Sequence, residues 1–209
     1  MNKTEIQSAE FVRGIKGTNP ILNSGLPQVA FVGRSNVGKS SVLNALFNRK
    51  DLVKVGKKPG KTVEINFFLV NQKFYFVDLP GYGYAHGNVK AREKIKKLIL
   101  WYLTSEEARP AIVVLITDIK AGFADFDKEM LQILVEQGYS YVIVANKIDK
   151  LNQKEVAQKL LEMRNESNGI EIFPHSAKTK KGTDVLRKRL LHDAKLVSRS
   201  GIRFQNLDT

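Results

Sequence analysis

One octapeptide constrains this chain more than any other stretch: GRSNVGKS, residues 33–40. It matches G-x-x-x-x-G-K-S, follows the apolar run QVAFVG (28–33) and opens the helical pattern GKSSVLNALFN. A strand that turns through glycines into a helix N-terminus makes a phosphate cradle. Gly33 and Gly38 let backbone N–H groups curl around an anion, and the positive end of the helix dipole adds to their pull. Lys39 then reaches the β- and γ-phosphates, and the Ser40 hydroxyl is a ligand for Mg²⁺. The nucleotide contacts expected here are Gly33, Arg34, Ser35, Asn36, Val37, Gly38, Lys39, Ser40 and Ser41. A chance glycine-rich turn would not need the strand and helix that flank it.

The rest of the chain repeats the alternation. Further short apolar runs lie at 67–70 (FFLV), 74–78 (FYFVD), 111–117 (AIVVLIT), 141–146 (YVIVAN) and 170–174 (IEIFP). Most are continuously apolar, as strands covered on both faces by helices are. Between them lie helical stripes: Ile95, Leu98, Ile99 and Tyr102; Met130, Leu131, Leu134 and Val135; Val156, Leu160 and Met163; and Leu186, Leu190, Ala194 and Val197. FFLVNQKFYFVD breaks the rule with a tight Asn-Gln-Lys connection, which predicts a hairpin and one antiparallel strand in an otherwise parallel sheet. The order is that of a three-layer α/β sandwich. With 209 residues there is enough chain for one substantial core. The expected organisation is an extension over 1–26, a nucleotide-binding domain over 27–197 and a tail over 198–209.

The base should be read by ANKIDK, 145–150, at the carboxyl end of the fifth run, where open α/β sheets bind ligands. A carboxylate at Asp149 accepts from guanine's ring N–H and exocyclic amine; adenine offers neither donor there. Asn146 can bridge the base and the phosphate loop, with the Lys147 stem along the base plane. HSAK, 175–178, suits a loop in which Ser176, Ala177 and Lys178 turn backbone N–H groups toward guanine's carbonyl, although a plain turn into the last helix competes. DLPGYGY, 78–84, leaves the strand after the hairpin. Asp78 stands where a P-loop nucleotidase holds an acid for Mg²⁺, and Gly81 where a backbone N–H meets the γ-phosphate. KKPGKT, 57–62, supplies Gly60 and Thr62, the latter a second Mg²⁺ ligand or simply the first residue of a strand. The metal set is Ser40, Thr62 and Asp78. The groups assigned to the reacting phosphate are Lys39, Thr62 and Gly81.

FVGRSNVGKSSVLNAL, KKPGKTVEINFF, VDLPGYGYA and the NKID and SAK loops together resemble the EngB family (also called YihA or YsxC) of TRAFAC-class GTPases, over about residues 9 to 190. The resemblance implies a six-stranded sheet with about five helices, Mg²⁺-dependent GTP hydrolysis and a role in maturing the large ribosomal subunit. The chain departs from the family in having Asn146-Lys147-Ile148-Asp149 for Thr-Lys-Ala-Asp. It also has Asp118-Ile119-Lys120-Ala121 where family members often read Asp-x-Arg-His.

Tyr82 stands where Ras-like enzymes keep a water-orienting Gln, so slow intrinsic hydrolysis is expected. A partner's arginine, worth about 10³ to 10⁵ in rate, or a potassium ion held through Asn36 would remedy it. His86 is the titratable group nearest this loop in sequence, and an exposed loop histidine is usually only solvated. A formal charge of +13 favours a polyanion. Lys90, Arg92, Lys94, Lys96 and Lys97 crowd one helix. Lys178, Lys180, Lys181, Arg187, Lys188 and Arg189 crowd the last loop and helix, and Lys195, Arg199 and Arg203 continue the tail. Solvated helix faces are the competing explanation; ribosomal RNA is the partner the resemblance implies. There is no cysteine and no apolar signal core, so a cytoplasmic protein acting as a monomer is expected, with no membrane span. Two alternatives remain: a P-loop kinase, and a GTP-gated binding protein of cell division or septation.

Overall fold

The structure, a computed structural model, describes residues 5–54, 63–83, 89–108 and 110–200, the last four by backbone alone. Gly60 and Thr62, with Tyr84, His86, Gly87 and Arg203, lie outside the described residues, as do the side chains of Val197 and Arg199.

The strands are β1 (Ala9–Ile15), β2 (Gln28–Gly33), β3 (Ile65–Val70), β4 (Phe74–Asp78), β5 (Ile112–Asp118), β6 (Tyr141–Asn146) and β7 (Ile172–Pro174). The helices are α1 (Lys39–Phe47), α2 (Val89–Thr104), α3 (Asp125–Glu136), α4 (Gln153–Glu166) and α5 (Thr183–Ser200). One sheet joins the strands in the order β1-β3-β4-β2-β5-β6-β7. β3 pairs antiparallel with both β1 and β4, while the remaining pairings are parallel, so β3 alone runs against the others.

The period of two along each strand sorts the core into layers. Val29, Phe31, Phe76, Val114 and Val144 face α1 and α5, meeting Val42, Leu43 and Leu46 of the first and Leu186, Leu190 and Ala194 of the second. Ala30, Val32, Val77, Val113 and Leu115 face the other way onto Ile95, Ile99, Tyr102 and Leu103 of α2 and Met130 and Leu134 of α3. Met163 of α4 closes the far end against Ile143, Ala145 and Ile172. Helices on both faces explain why the strands are apolar without alternation.

The sheet has seven strands, not the six expected. The extra one is β1, inside the segment read as an extension. Of its seven residues only Ile15 is buried, and a bulge interrupts its register between Phe11 and Arg13. An edge strand with one neighbour and a solvated face leaves little apolar signal. The β3–β4 turn holds it in place: Asn71 Oδ1 accepts from the N–H groups of Gln7 and Ser8, and Asn71 Nδ2 donates to the Glu5 carbonyl. Asn71 and Gln72 both adopt positive φ, as a tight hairpin requires. A smaller correction concerns Val135, expected on the buried stripe of α3 but 63% exposed.

Candidate functional site

The carboxyl ends of β2, β4, β5, β6 and β7 meet the N-terminus of α1 at one edge of the sheet, and the motifs gather there. β2 ends at Gly33, which lies so close to β5 that an added Cβ would come 2.4 Å from the Ile116 carbonyl oxygen. The loop then turns through Asn36 (φ 68°) and Gly38 (φ 95°) into α1. A Cβ on Gly38 would stand 2.5 Å from Asn146 Nδ2. Gly38 offers no side chain to cap α1, so the first-turn N–H groups face the loop's concavity without one.

Lys39, buried at the start of that helix, is ion-paired with Asp78 at the end of β4. Ser40 and Ser41, half-buried, follow. A glycine cradle, an uncapped helix N-terminus, a lysine, a hydroxyl and one carboxylate form the donor set of a Mg²⁺–nucleotide site, in which phosphates and water supply most of the metal's oxygens. Among the described residues no group of three or more His, Cys, Asp or Glu could hold a metal by itself. The residues present therefore fit a metal that arrives with its nucleotide.

The loop that carries Asn146 and Lys147 is tied to the cradle by two contacts. Asn146 Nδ2 donates to the Val37 carbonyl at 2.9 Å. Lys147, left-handed at φ 69°, donates from Nζ to the Asn36 carbonyl at 2.6 Å and pairs with Asp118 Oδ2 at 2.8 Å. Asn146 Oδ1 accepts the Ala177 N–H at 3.3 Å and faces His175 Nδ1 at 3.0 Å. Asp149 is exposed and accepts from the Ser176 hydroxyl at 2.6 Å. That bond, reinforced by Lys178 and Lys150, holds its carboxyl below the usual range against a smaller effect of burial. Of the three N–H groups expected to face a base carbonyl, that of Ala177 donates to Asn146 and, against expectation, that of Ser176 donates to the Lys181 carbonyl at 3.0 Å.

Gly81 and Tyr82 return to the phosphate loop. The Ser35 N–H donates to the Tyr82 carbonyl at 2.7 Å, and the Ser35 hydroxyl to the Gly81 carbonyl at 3.2 Å. Tyr82 is 4% exposed and its hydroxyl donates to Asp127. Burial, and next the Asp127 charge, push the phenol far above its ordinary pKa, so it stays a donor.

Sequence reasoning missed three of these groups. Asp118 ends β5 as Asp78 ends β4, and the strand-end rule that found Asn146 would have found it too. His175 is fully buried, with Nδ1 on Asn146 and Nε2 3.0 Å from the Thr183 hydroxyl. Burial pushes it down to about 4, so it is neutral at pH 7. A tautomer that donates from Nδ1 to the amide oxygen and accepts at Nε2 satisfies both partners. Only its place beside Ser176 signalled it. Asp127 carried no signal of a link to the site, because the two partners that make that link, Tyr82 and Arg34, are 45 and 93 residues away in sequence.

A family model described as "50S ribosome-binding GTPase" matches residues 28–147. The probable GTP-binding protein EngB of Chlorobaculum parvum is 42% identical over 187 residues, covering 88% of this chain and 96% of that protein. The crystal structure of a probable GTP-binding protein EngB superposes with a TM-score of 0.70 at 26% identity, over 81% of this chain and 99% of that one. Era crystallised with MgGDPNP and nucleotides 1506–1542 of 16S ribosomal RNA gives a TM-score of 0.61 at 26% identity, over 80% of this chain and 56% of that one.

Proposed function

Because the chain belongs to the EngB family of GTP-binding proteins, we propose that it is a Mg²⁺-dependent, GTP-hydrolysing switch of the cytoplasm that acts on precursors of the large ribosomal subunit. The observation that carries this reading is the joining of base-reading and phosphate-binding loops by side chains. Asn146 reaches Val37 and Lys147 reaches Asn36.

In this reading Asp149, kept ionised by Ser176, accepts from the ring N–H and amine of guanine, while Asn146 and the Ser176–Lys178 backbone line the base's other edge. The cradle from Gly33 to Ser41 wraps the phosphates, with Lys39, Gly81 and Thr62 assigned to the terminal one and Gly60 among the nucleotide contacts. Ser40, Asp78 and Thr62 would hold Mg²⁺, which when bound neutralises charge on the β- and γ-phosphates. Tyr82 has its hydroxyl on Asp127 and so orients no water. Intrinsic hydrolysis is therefore slow, and a partner's group or a potassium ion at Asn36 raises it.

For the partner, the structure redistributes the cations. Arg187 pairs with Asp184 and donates to the Leu46 and Ala45 carbonyls at the end of α1; Arg189 pairs with Glu171 and Asp193. On α2, Lys90, Arg92, Lys94 and Lys97 are exposed and form no ion pair among the described residues, while Lys96 pairs with Glu129. This supports α2, which follows the Gly81–Tyr82 segment in the chain, as the face for ribosomal RNA phosphates. The family description and Era's RNA complex agree with that class of partner.

The guanine assignment is tested by Asp149→Asn. Xanthine carries a carbonyl where guanine has its amine, so the variant should lose GDP affinity by at least tenfold and gain affinity for xanthosine diphosphate. Unchanged GDP binding would sink the assignment. GTP turnover in potassium and sodium buffers tests the cation: equal rates would remove it.

A further inference from the structure

Asp127 lies outside the nucleotide contacts, yet it is the most deeply buried carboxylate near the site, with no exposed surface. Burying a carboxylate is costly unless its oxygens are paired. Three groups pair this one, and they come from three different segments. The Tyr82 hydroxyl donates to Oδ1. The Ala124 N–H donates to Oδ2 at 2.9 Å and so starts α3. Arg34 Nε, from the phosphate loop, stands 3.3 Å from Oδ2 and attracts it by charge, without hydrogen-bond alignment.

The backbone makes this meeting point consequential. Arg34 and Tyr82 form a one-residue parallel bridge, locked by the Ser35 N–H on the Tyr82 carbonyl. Gly81 therefore lies flat on Ser35, where an added Cβ would come 3.1–3.3 Å from three Ser35 atoms. Where Tyr82 is held, Gly81 is held. On its other side the Tyr82 ring meets Phe126 edge-on at 4.4 Å between centroids. Lys96 of α2 stands 4.8 Å from the centre of the Phe126 ring and pairs with Glu129 of α3. A continuous set of contacts thus runs from the phosphate loop through Tyr82 and Phe126 to Lys96 of α2.

We infer that Asp127 and Tyr82 form a latch that fixes Gly81 against the phosphate loop and carries its position to α2 and α3, so that Tyr82 is a positioning residue and not a catalytic one. The inference rests on the reading that Gly81 meets the terminal phosphate. A latched Gly81 is pre-organised for a γ-phosphate and irrelevant to a diphosphate. Loosening it lowers affinity for triphosphate alone.

The test is calorimetric titration of the full chain with GDP and with a non-hydrolysable GTP analogue, in wild type, Tyr82→Phe, Asp127→Asn and the double variant. Tyr82→Phe keeps the ring on Phe126 and removes only the donor. Asp127→Asn keeps the shape but accepts on one side only. The latch predicts GDP affinity within about twofold of wild type and analogue affinity about tenfold weaker in each single variant, the size expected for losing a hydrogen bond to a charged group. It also predicts no further loss in the double variant, because one contact is broken twice. A merely structural tyrosine would lower thermal stability and move both affinities together, which would overturn the latch. An unchanged ratio in both single variants would overturn it too. Wild-type protein that bound neither nucleotide would overturn the latch along with the reading beneath it.

Discussion

His175 shows how a single buried side chain can set the chemistry of a loop it is not expected to serve. With Nδ1–H on Asn146 Oδ1, the amide has only one orientation, in which Nδ2 points at the Val37 carbonyl. His175→Phe should therefore weaken guanine nucleotide binding several-fold while leaving turnover at saturating GTP near wild type. His175→Asn, whose amide N–H can occupy the Nδ1 position, should restore most of the affinity. Equal affinity in wild type and His175→Phe would remove the role. The same residue sets an acid limit on stability. Its folded-state pKa, about 4, lies below the ordinary 6.5, so the unfolded chain takes up the proton first. Its contribution is intact above about pH 6.5 and declines as pH falls toward 4, by roughly 3 kcal/mol in all. Denaturant unfolding of wild type and His175→Phe between pH 7 and 4 should show the variant with the shallower decline.

At the scale of elements, what could be read beforehand follows from where burial leaves a trace. Six strands were legible because helices on both faces force continuous apolar runs, as in Val29–Val32, whose side chains alternate between two cores. The phosphate loop, Asp78, Asn146 and Asp149 were legible because each sits where a strand ends or a helix begins. β1 was not, since its exposed face and single neighbour leave Glu10, Phe11, Val12 and Arg13 without a pattern. Arg187 and Arg189 of α5 were also not separated from the cations of α2 beforehand: Asp184 and Asp193 stand at helix spacing from them and were legible, while Glu171 is brought in only by the fold. That distinction makes a prediction. Lys94→Gln with Lys97→Gln on α2 should reduce the slope of log affinity for ribosomal RNA against log salt by about 1 to 2 units. Arg187→Gln with Arg189→Gln should leave it close to wild type, with reduced stability instead. Filter binding across a salt series separates the two, and equal slopes for both pairs would reject α2 as the RNA face.

Over the whole molecule, one sheet edge does two jobs through neighbouring strands. In the proposed function the β6 and β7 ends read the base and the β2 and β4 ends bind phosphate, and Asn146 and Lys147 join the two halves. Beyond Asp78 the chain passes Gly81 and Tyr82, meets α3 at Asp127, and then resumes as α2, where Lys90, Arg92, Lys94 and Lys97 form no ion pair among the described residues. Under the proposed function, this arrangement is claimed to convert the presence of a terminal phosphate into the position of a charged surface. The most direct measurement of that claim is co-sedimentation of the full-length protein with large-subunit precursor particles, with GDP, with a non-hydrolysable GTP analogue, and with no nucleotide. The account predicts retention that differs several-fold between the two nucleotides and falls steeply with added salt. Equal retention in all three conditions, or none in any, would contradict it.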